Sequence, residues 1–451
     1  MTHGRRTFLL GILILLTVAD AVKGESLEIT VDEGLRLAFS KNEILQVARG
    51  ALDRAGYAVR QARSDGLPQI TVGADFDRNF LLPSSILDTD AGPQRVTFGT
   101  KNNLNSNITV RQTLFAGGRI ASATSQAKHF RNLTRETLRE TRQNIHAEVE
   151  TAFYDLLLAR ELVRVSHLAL ERARRNLKQT QLLRQAGRAS RFDLLRAEVQ
   201  VLQLSPDSIR AHKDFQIADL TFKNTIGLQP EQEIDPVGGF RSESAIDVTV
   251  LNALVETGIT RRPDFLQFQH RISTRRQAIR VRQAGYLPTV DVLAQGRMQV
   301  QTNDLASVTR DDLRRSWFTG VRLSFPLFDG LETASAVAQA RIDLRQTELL
   351  NQNLLRAIRV DIHRAWLTYK EAGDRQAAQT RARELTGEGL RMAEAQYAEG
   401  LVTQLEITDA QLSLLRAETE VARARRDRAV AIVELERAVG QLGEEEERID
   451  D

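Results

Sequence analysis

The side chains able to break bonds are sparse and poorly arranged for it. There is no cysteine, and no phosphate-cradling glycine loop, H-E-x-x-H or G-x-S-x-G pattern occurs. The seven histidines are scattered, and His363, within Ile362-His363-Arg364, reads as a helix-surface residue rather than a metal ligand. The one recurrent polar constellation is Gly187, Ser190 and Asp193, which returns as Gly400, Thr403 and Glu406. Its chemistry is conformational. The glycine adopts a positive φ just past a helix, the hydroxyl caps the next helix, and the carboxylate at the third helical position completes that cap. Catalysis, a bound cofactor and a metal site are therefore not expected.

The two turns lie 213 residues apart, and the same offset relates Leu114-Phe115-Ala116-Gly117 to Leu327-Phe328-Asp329-Gly330, Ala197 to Ala410, and Gly227 to Gly440. The chain reads as a tandem duplication of one supersecondary unit. Gly118 to Ala186 contains no proline and would form a helical rod roughly 100 Å long at 1.5 Å per residue. Apolar residues at Val149, Ala152, Phe153, Leu156 and Leu157, and at Leu354, Leu355, Ile358, Ile362 and Trp366, keep the three-and-four spacing of buried helical seams. Each rod turns back at Gly187 or Gly400 into a return helix, Ser190 towards Thr225 and Thr403 towards Val439. The result is two αα-hairpins, about 118–227 and 330–440. Pro206 has no counterpart at the equivalent position, Thr419, and is expected to kink or break the first return helix.

A period of two appears elsewhere. After Leu67-Pro68, Ile70, Val72, Ala74 and Phe76 alternate with polar residues; after Leu287-Pro288, Val290, Val292, Ala294, Met298 and Val300 do the same. Leu104 to Phe115 and Trp317 to Phe325 supply two more strands, so each half carries a strand hairpin, about 69–115 and 289–327. Strands of about ten residues with one apolar and one polar face suit a membrane-spanning barrel. Four strands cannot close one, and open edges within hydrocarbon would leave backbone groups unpaired. Three copies would supply twelve strands, enough to enclose a channel. Leu81 to Thr100 and Thr302 to Leu313 read as exposed polar loops.

The 62 basic and 59 acidic residues nearly balance at net +3 and interleave along helices, so nucleic acid is not expected as a partner. Residues 1–21 read as a secretory signal: Arg5-Arg6, an apolar run from Phe8 to Ala19, and Ala19-Asp20-Ala21 as the cleavage site. Arg5-Arg6-Thr7-Phe8-Leu9 also fits a twin-arginine signal; both routes export the chain. The first repeat spans 22–228, opened by a capping box at Thr30 to Glu33 and a helix through Leu35, Ala38, Ile44 and Leu45. A linker at 229–249 holds Pro230, Pro236, Gly238 and Gly239, the second repeat spans 250–440, and an acidic tail ends the chain at 441–451. At an offset of 220, Lys41-Asn42-Glu43-Ile44 is echoed by Arg261-Arg262-Pro263-Asp264, and Pro68 by Pro288.

Helix-to-strand boundaries at Gly66-Leu67-Pro68 and Gly285-Tyr286-Leu287-Pro288, Pro326-Leu327-Phe328-Asp329-Gly330 before the second rod, and the two Gly-x-x-Ser/Thr-x-x-Asp/Glu turns together resemble the TolC-like outer-membrane efflux protein family. The likeness covers essentially all of the mature chain. It implies a mainly α fold with a β-barrel part: a homotrimer with a twelve-stranded barrel in the outer membrane of a Gram-negative bacterium, continued by an α-helical tunnel in the periplasm. It also implies a passive duct for efflux or type I secretion, docked at the hairpin tips by a periplasmic adaptor protein and an inner-membrane transporter that supplies the energy. The resemblance makes Glu406 and Asp409 acidic rings at the periplasmic constriction, and makes Asp193 a lock residue receiving a hydrogen bond from Tyr397. Val402 stands where the best-known members have a lock arginine, which leaves Arg188 and Arg191 as substitute charges. Two alternatives stay open: that Glu406 is only a cap and Asp409 only solvated, and that the chain is a periplasmic or surface helical coil with no channel.

Overall fold

The computed structural model describes residues 27–89, 92–244, 247, 248 and 250–443. The signal at 1–21 and the acidic tail from Glu444 lie outside them. In chain order come β1 (Leu27–Ile29), α1 (Val31–Lys41), α2 (Glu43–Ser64), β2 (Gln69–Arg78), β3 (Ser84–Thr89), β4 (Gly92–Thr97), β5 (Asn102–Ala116), α3 (Arg119–Gln185) and α4 (Arg191–Thr225). Then follow β6 (Ile234–Pro236), α5 (Leu251–Arg261), α6 (Pro263–Gln283), β7 (Thr289–Thr302), β8 (Leu313–Ser324), α7 (Glu332–Glu399) and α8 (Gln404–Val439). Two short helices, two sheet strands, one rod and one return helix therefore occur twice, as the duplication requires.

The capping box at Thr30 forms, with the Thr30 amide donating to Glu33 at 2.8 Å and the Glu33 amide to Thr30 Oγ1 at 3.3 Å. The single helix expected to run on through Ile44 and Leu45 is instead two. Asn42 ends α1, and its Oδ1 accepts from the amides of Ile44 (2.9 Å) and Leu45 (3.2 Å), capping α2. Its echo, Arg262, separates α5 from α6, where Pro263 begins the new helix without needing an N–H. Of the kink or break expected at Pro206, the break does not occur: α4 is continuous through it. Pro206 and Leu202, whose carbonyl loses its partner, both lie on the exposed face, where water can reach the freed group.

The rods are 67 and 68 residues long, so each extends about 100 Å. Their middle sections hold the core. Val149, Phe153, Tyr154 and Leu156 of α3 are buried with Leu35 of α1, Phe222 of α4 and Val433 of α8; the Phe153 and Phe222 rings lie 5.6 Å apart. In the second repeat, Ile358 and Ile362 of α7 pack with Leu254, Leu435 and Val439. The linker at 229–249 is more tied down than expected. It contains β6, which pairs in parallel with β1, and Val248, whose carbonyl accepts from Trp366 Nε1 at 3.0 Å.

Four antiparallel strands form one sheet in the order β2-β5-β7-β8. Strands β5 and β8 start earlier than expected, at Asn102 and Leu313. The segment from Leu81 to Thr100, expected as loop, carries a further hairpin, β3 with β4; Ile86, Leu87 and Val96 are too few apolar residues to reveal a period of two. Pro68 and Pro288 stand immediately before β2 and β7. Next to the second boundary, Gly117 has φ +59°, and a Cβ there would lie 2.7 Å from Leu287 Cβ and 2.8 Å from the Ala284 carbonyl oxygen. Only glycine lets the β5-to-α3 turn approach that closely.

Candidate functional site at the hairpin tips and sheet edges

The two tips share their turn-closing hydrogen bonds. At the first, Gly187 (φ +74°) lets the Arg188 amide reach back to the Leu183 carbonyl at 2.8 Å. At the second, Gly400 (φ +80°) lets the Leu401 amide reach the Gln396 carbonyl at 2.9 Å. The next helices open with the expected boxes. Asp193 Oδ2 accepts from the Ser190 amide (3.0 Å) and hydroxyl (2.6 Å), and Glu406 Oε2 accepts from the Thr403 amide (2.6 Å) and hydroxyl (3.0 Å). Glu406 is therefore a cap, through one carboxylate oxygen. Asp409, three residues on, is also exposed.

The hydrogen bond expected from Tyr397 to Asp193 is not formed within one chain. Tyr397 is buried in the seam between the hairpins, its hydroxyl 3.5 Å from Thr180 Oγ1, while Asp193 is held by Ser190. The two do line one cleft of about 200 Å³ between the tips, with Arg188, Gly400, Val402 and Gln404. Arg188 reaches across it: its Nη2 lies 3.9 Å from where a Cβ on Gly400 would be. Of the two substitute arginines, Arg188 lines this cleft.

Sequence reading missed the seam itself. Thr180 donates to Gln404 Oε1 at 3.4 Å, Gln200 Nε2 donates to Gln411 Oε1 at 3.0 Å, and Thr408 donates to Gln200 Oε1 at 3.2 Å. Gln404, Gln200 and Gln411 are all buried. Farther from the tips, Arg172 and Glu418 form a two-pronged ion pair, both contacts at 2.9 Å. A signal was available: Gln404, Ile407, Gln411, Leu414, Ala417 and Val421 keep three-and-four spacing, with glutamines inside an apolar stripe.

A second buried polar cluster joins the linker to both repeats. Glu150 of α3 accepts from Tyr154 (3.0 Å) and lies 2.9 Å from His146 Nε2. Arg241 stands 3.5 Å from Glu150 and 2.6 Å from Glu436 of α8. Burial alone would raise the Glu150 pKa, but the His146 hydrogen bond, the charges of His146 and Arg241, and the Tyr154 hydroxyl outweigh it and hold it below its ordinary value. The same burial, with Glu150 beside it, pushes the Tyr154 phenol up.

The sheet has one apolar face. Val72 stands opposite Ile108, Ile108 opposite Gly296, and Gly296 opposite Trp317, which is 82% exposed. The other face is polar: Asn105 donates to Asp75 at 2.8 Å, Thr113 to Asp291 at 2.7 Å and Gln295 to Thr109 at 3.1 Å. Strands β2 and β8 each have a free edge. Among the described residues, no helix is long and apolar enough to cross a membrane, and no group of three or more candidate metal ligands occurs.

The sequence profile described as outer membrane efflux protein matches residues 34–228 and 254–441, taking in both repeats. The chain belongs to this family. Outer membrane efflux proteins form a transport-channel family rather than an enzyme family. The chain is similar to outer membrane protein TolC of Escherichia coli, 23% identical over 418 residues, which are 90% of this chain and 81% of that protein. It is also similar to the alkaline protease secretion protein AprF of Pseudomonas aeruginosa, 22% identical over 350 residues, 75% and 70% of the two chains. The CmeC outer membrane channel of Campylobacter jejuni shares the fold, with a TM-score of 0.76, 15% identity and coverage of 93% and 88%. The architecture is thus that of a TolC-like outer membrane efflux protein, mainly helical with a smaller part in sheet strands.

Proposed function

We propose that this chain is a passive exit duct in the outer membrane of a Gram-negative bacterium. It works as a homotrimer in an efflux or type I secretion system. The carrying observation is the four-stranded sheet, apolar on one face, polar on the other, and unpaired at β2 and β8. In hydrocarbon each unpaired backbone group costs several kcal/mol, so the β8 edge of one copy must meet the β2 edge of the next. Three copies close twelve strands, with outer-membrane lipid outside and water inside. The helices support the same assembly. Phe192, Leu195, Val199 and Leu202 form an exposed apolar stripe on α4, and Leu385 and Met392, one heptad apart, another on α7. Apolar stripes of this length mark helix partners that a single chain lacks. A soluble coil would have no use for a sheet with one bare apolar face.

The two hairpins are the movable gate, and their tips are where a periplasmic adaptor and an inner-membrane transporter dock. Threefold symmetry turns Glu406 and Asp409 into two rings of three carboxylates near the axis. Such rings favour cations and resist close approach. Asp193, Tyr397 and Arg188, gathered in the cleft between the tips, hold the closed arrangement. The channel itself carries no energy source, so the pump decides the cargo.

The test is conductance of the purified trimer in planar bilayers. The wild type should show small, cation-preferring currents, and Glu406→Gln with Asp409→Asn should reduce the preference. Asp193→Ala or Tyr397→Phe should raise the current. A detergent-free, water-soluble monomer that passes no current after reconstitution would overturn the reading.

A further inference from the structure

The apolar face of the sheet is interrupted by two cations, each nine residues out from the helical end of its own edge strand. Alternation puts Arg315 on the face of Trp317 and Val321, opposite Met298, and puts Arg78 on the face of Phe76 and Val72. Both arginines are exposed. Among the described residues neither meets a carboxylate, and Arg78 lies over the Phe80 ring, 5.8 Å from its centroid. Both also sit at the ends of edge strands remote from the helices. From Ser324, at the helical end of β8, to Arg315 is about 30 Å along the strand, or about 23 Å of depth at the usual tilt. An outer-membrane barrel has an apolar band about 25 Å tall. Arg315 therefore stands at headgroup level, with Trp317 one step below as the aromatic that marks the interface.

Closing the ring has a geometric consequence. Strand β2 runs away from the helices and β8 runs back, so the outer end of β8 in one copy lies beside the outer end of β2 in the next. Arg315 and Arg78 stand near those two outer ends, both on the apolar face. We propose that each of the three seams binds the phosphate group of an outer-leaflet lipid between these two guanidinium groups. Guanidinium matches phosphate in shape and charge, with paired N–H donors. The lipid's acyl chains would lie along the apolar face below, against Trp317 and Phe76. The site rests on the trimeric barrel proposed above, because neither arginine forms it alone.

Native mass spectrometry of the trimer, extracted in mild detergent, tests both levels in one spectrum. The wild-type trimer should retain up to three phosphorylated lipids. Arg315→Gln and Arg78→Gln should each lower that retention about fivefold. Arg314→Gln, the same charge change on the adjacent residue and the opposite face, should leave it unchanged. Excess inorganic phosphate should fail to strip the lipid, because the acyl chains contribute to its retention. Undiminished retention in Arg315→Gln trimers, or an equal loss in Arg314→Gln trimers, overturns the lipid site and leaves the duct standing. Absence of any trimer in the wild type overturns the duct and, with it, the seam.

Discussion

The two repeats keep their turns and lose their seams. Gly187, Ser190 and Asp193 match Gly400, Thr403 and Glu406 in residue class, and the backbone bonds that close each turn and the bonds to each box carboxylate match as well. The seam residues do the opposite. Gln200 corresponds to Ser413, Gln411 to Glu198, Gln404 to Arg191 and Tyr397 to Arg184. The Arg172–Glu418 pair corresponds to Leu385 and Ser205. A turn serves only its own hairpin, so both copies face the same requirement. A seam residue faces the other copy, whose surface is different, so the two sides of the interface have diverged into complementary partners.

The strongest way to break this picture is to remove the residue that ties both repeats to the linker. Arg241→Ala leaves Glu150 and Glu436 buried without their shared cation and should destabilise the protein by about 3 kcal/mol. Thermal unfolding of the extracted trimer would show it; a shift no larger than that of a surface arginine would mean the cluster contributes nothing. The pH dependence has a definite sign. The Glu150 pKa is depressed below 4.5 in the folded chain, so its stabilisation is complete above the unfolded value and is lost as pH falls through the folded one. Without Arg241 that depression shrinks. Acid unfolding of Arg241→Ala should then begin at a higher pH than in the wild type.

The seam between the tips gives a smaller but more functional effect. Gln411→Ala leaves the Gln200 amide buried without its acceptor at 3.0 Å, which costs about 1–2 kcal/mol in the closed arrangement. If opening lets water reach the seam, that cost vanishes in the open state and the open fraction should rise about tenfold. Unaltered single-channel opening would show that the seam does not separate during gating. The turns supply the contrast. Ser190→Ala and Thr403→Ala each remove the hydroxyl that donates to the box carboxylate; Ser190 also accepts from the Asp193 amide, so its loss, about 1 kcal/mol, should slightly exceed that at Thr403. A large inequality would break the comparison at its most regular point.

How much of this the sequence revealed follows from the same division. The turns, rods, return helices and four sheet strands were legible because glycine placement, capping residues and periods of 3.6 and 2 are local. Asn42 was not read as a boundary because its cap signal lies inside an apolar-periodic run. The β3–β4 hairpin was missed because short strands with few apolar residues leave no period. The Gln200–Gln411 contact joins residues about two hundred positions apart, and only the stacking of repeats brings them together. Tyr397 shows the limit of resemblance: position and residue type pointed to Asp193, but packing within one chain turns its hydroxyl towards Thr180.

One departure inside the duplicated turns sharpens the comparison further. Gly118 and Leu331 occupy equivalent positions at the starts of α3 and α7, and both are left-handed, at φ 80° and φ 71°. Leu331 is the only non-glycine residue with positive φ among those described. A leucine there sets its Cβ against its own carbonyl, at a cost of about 1–2 kcal/mol. Glycine would remove that strain, though it would return some conformational freedom to the unfolded chain. Leu331→Gly should therefore raise stability by about 0.5–1 kcal/mol, and Gly118→Leu should lower it by at least as much. Leu331 is 65% exposed, so little packing is lost in the single chain. If Leu331→Gly instead lowers the melting temperature of the trimer while leaving the monomer's refolding unchanged, the side chain is held by a neighbouring copy, and its strain is offset by assembly.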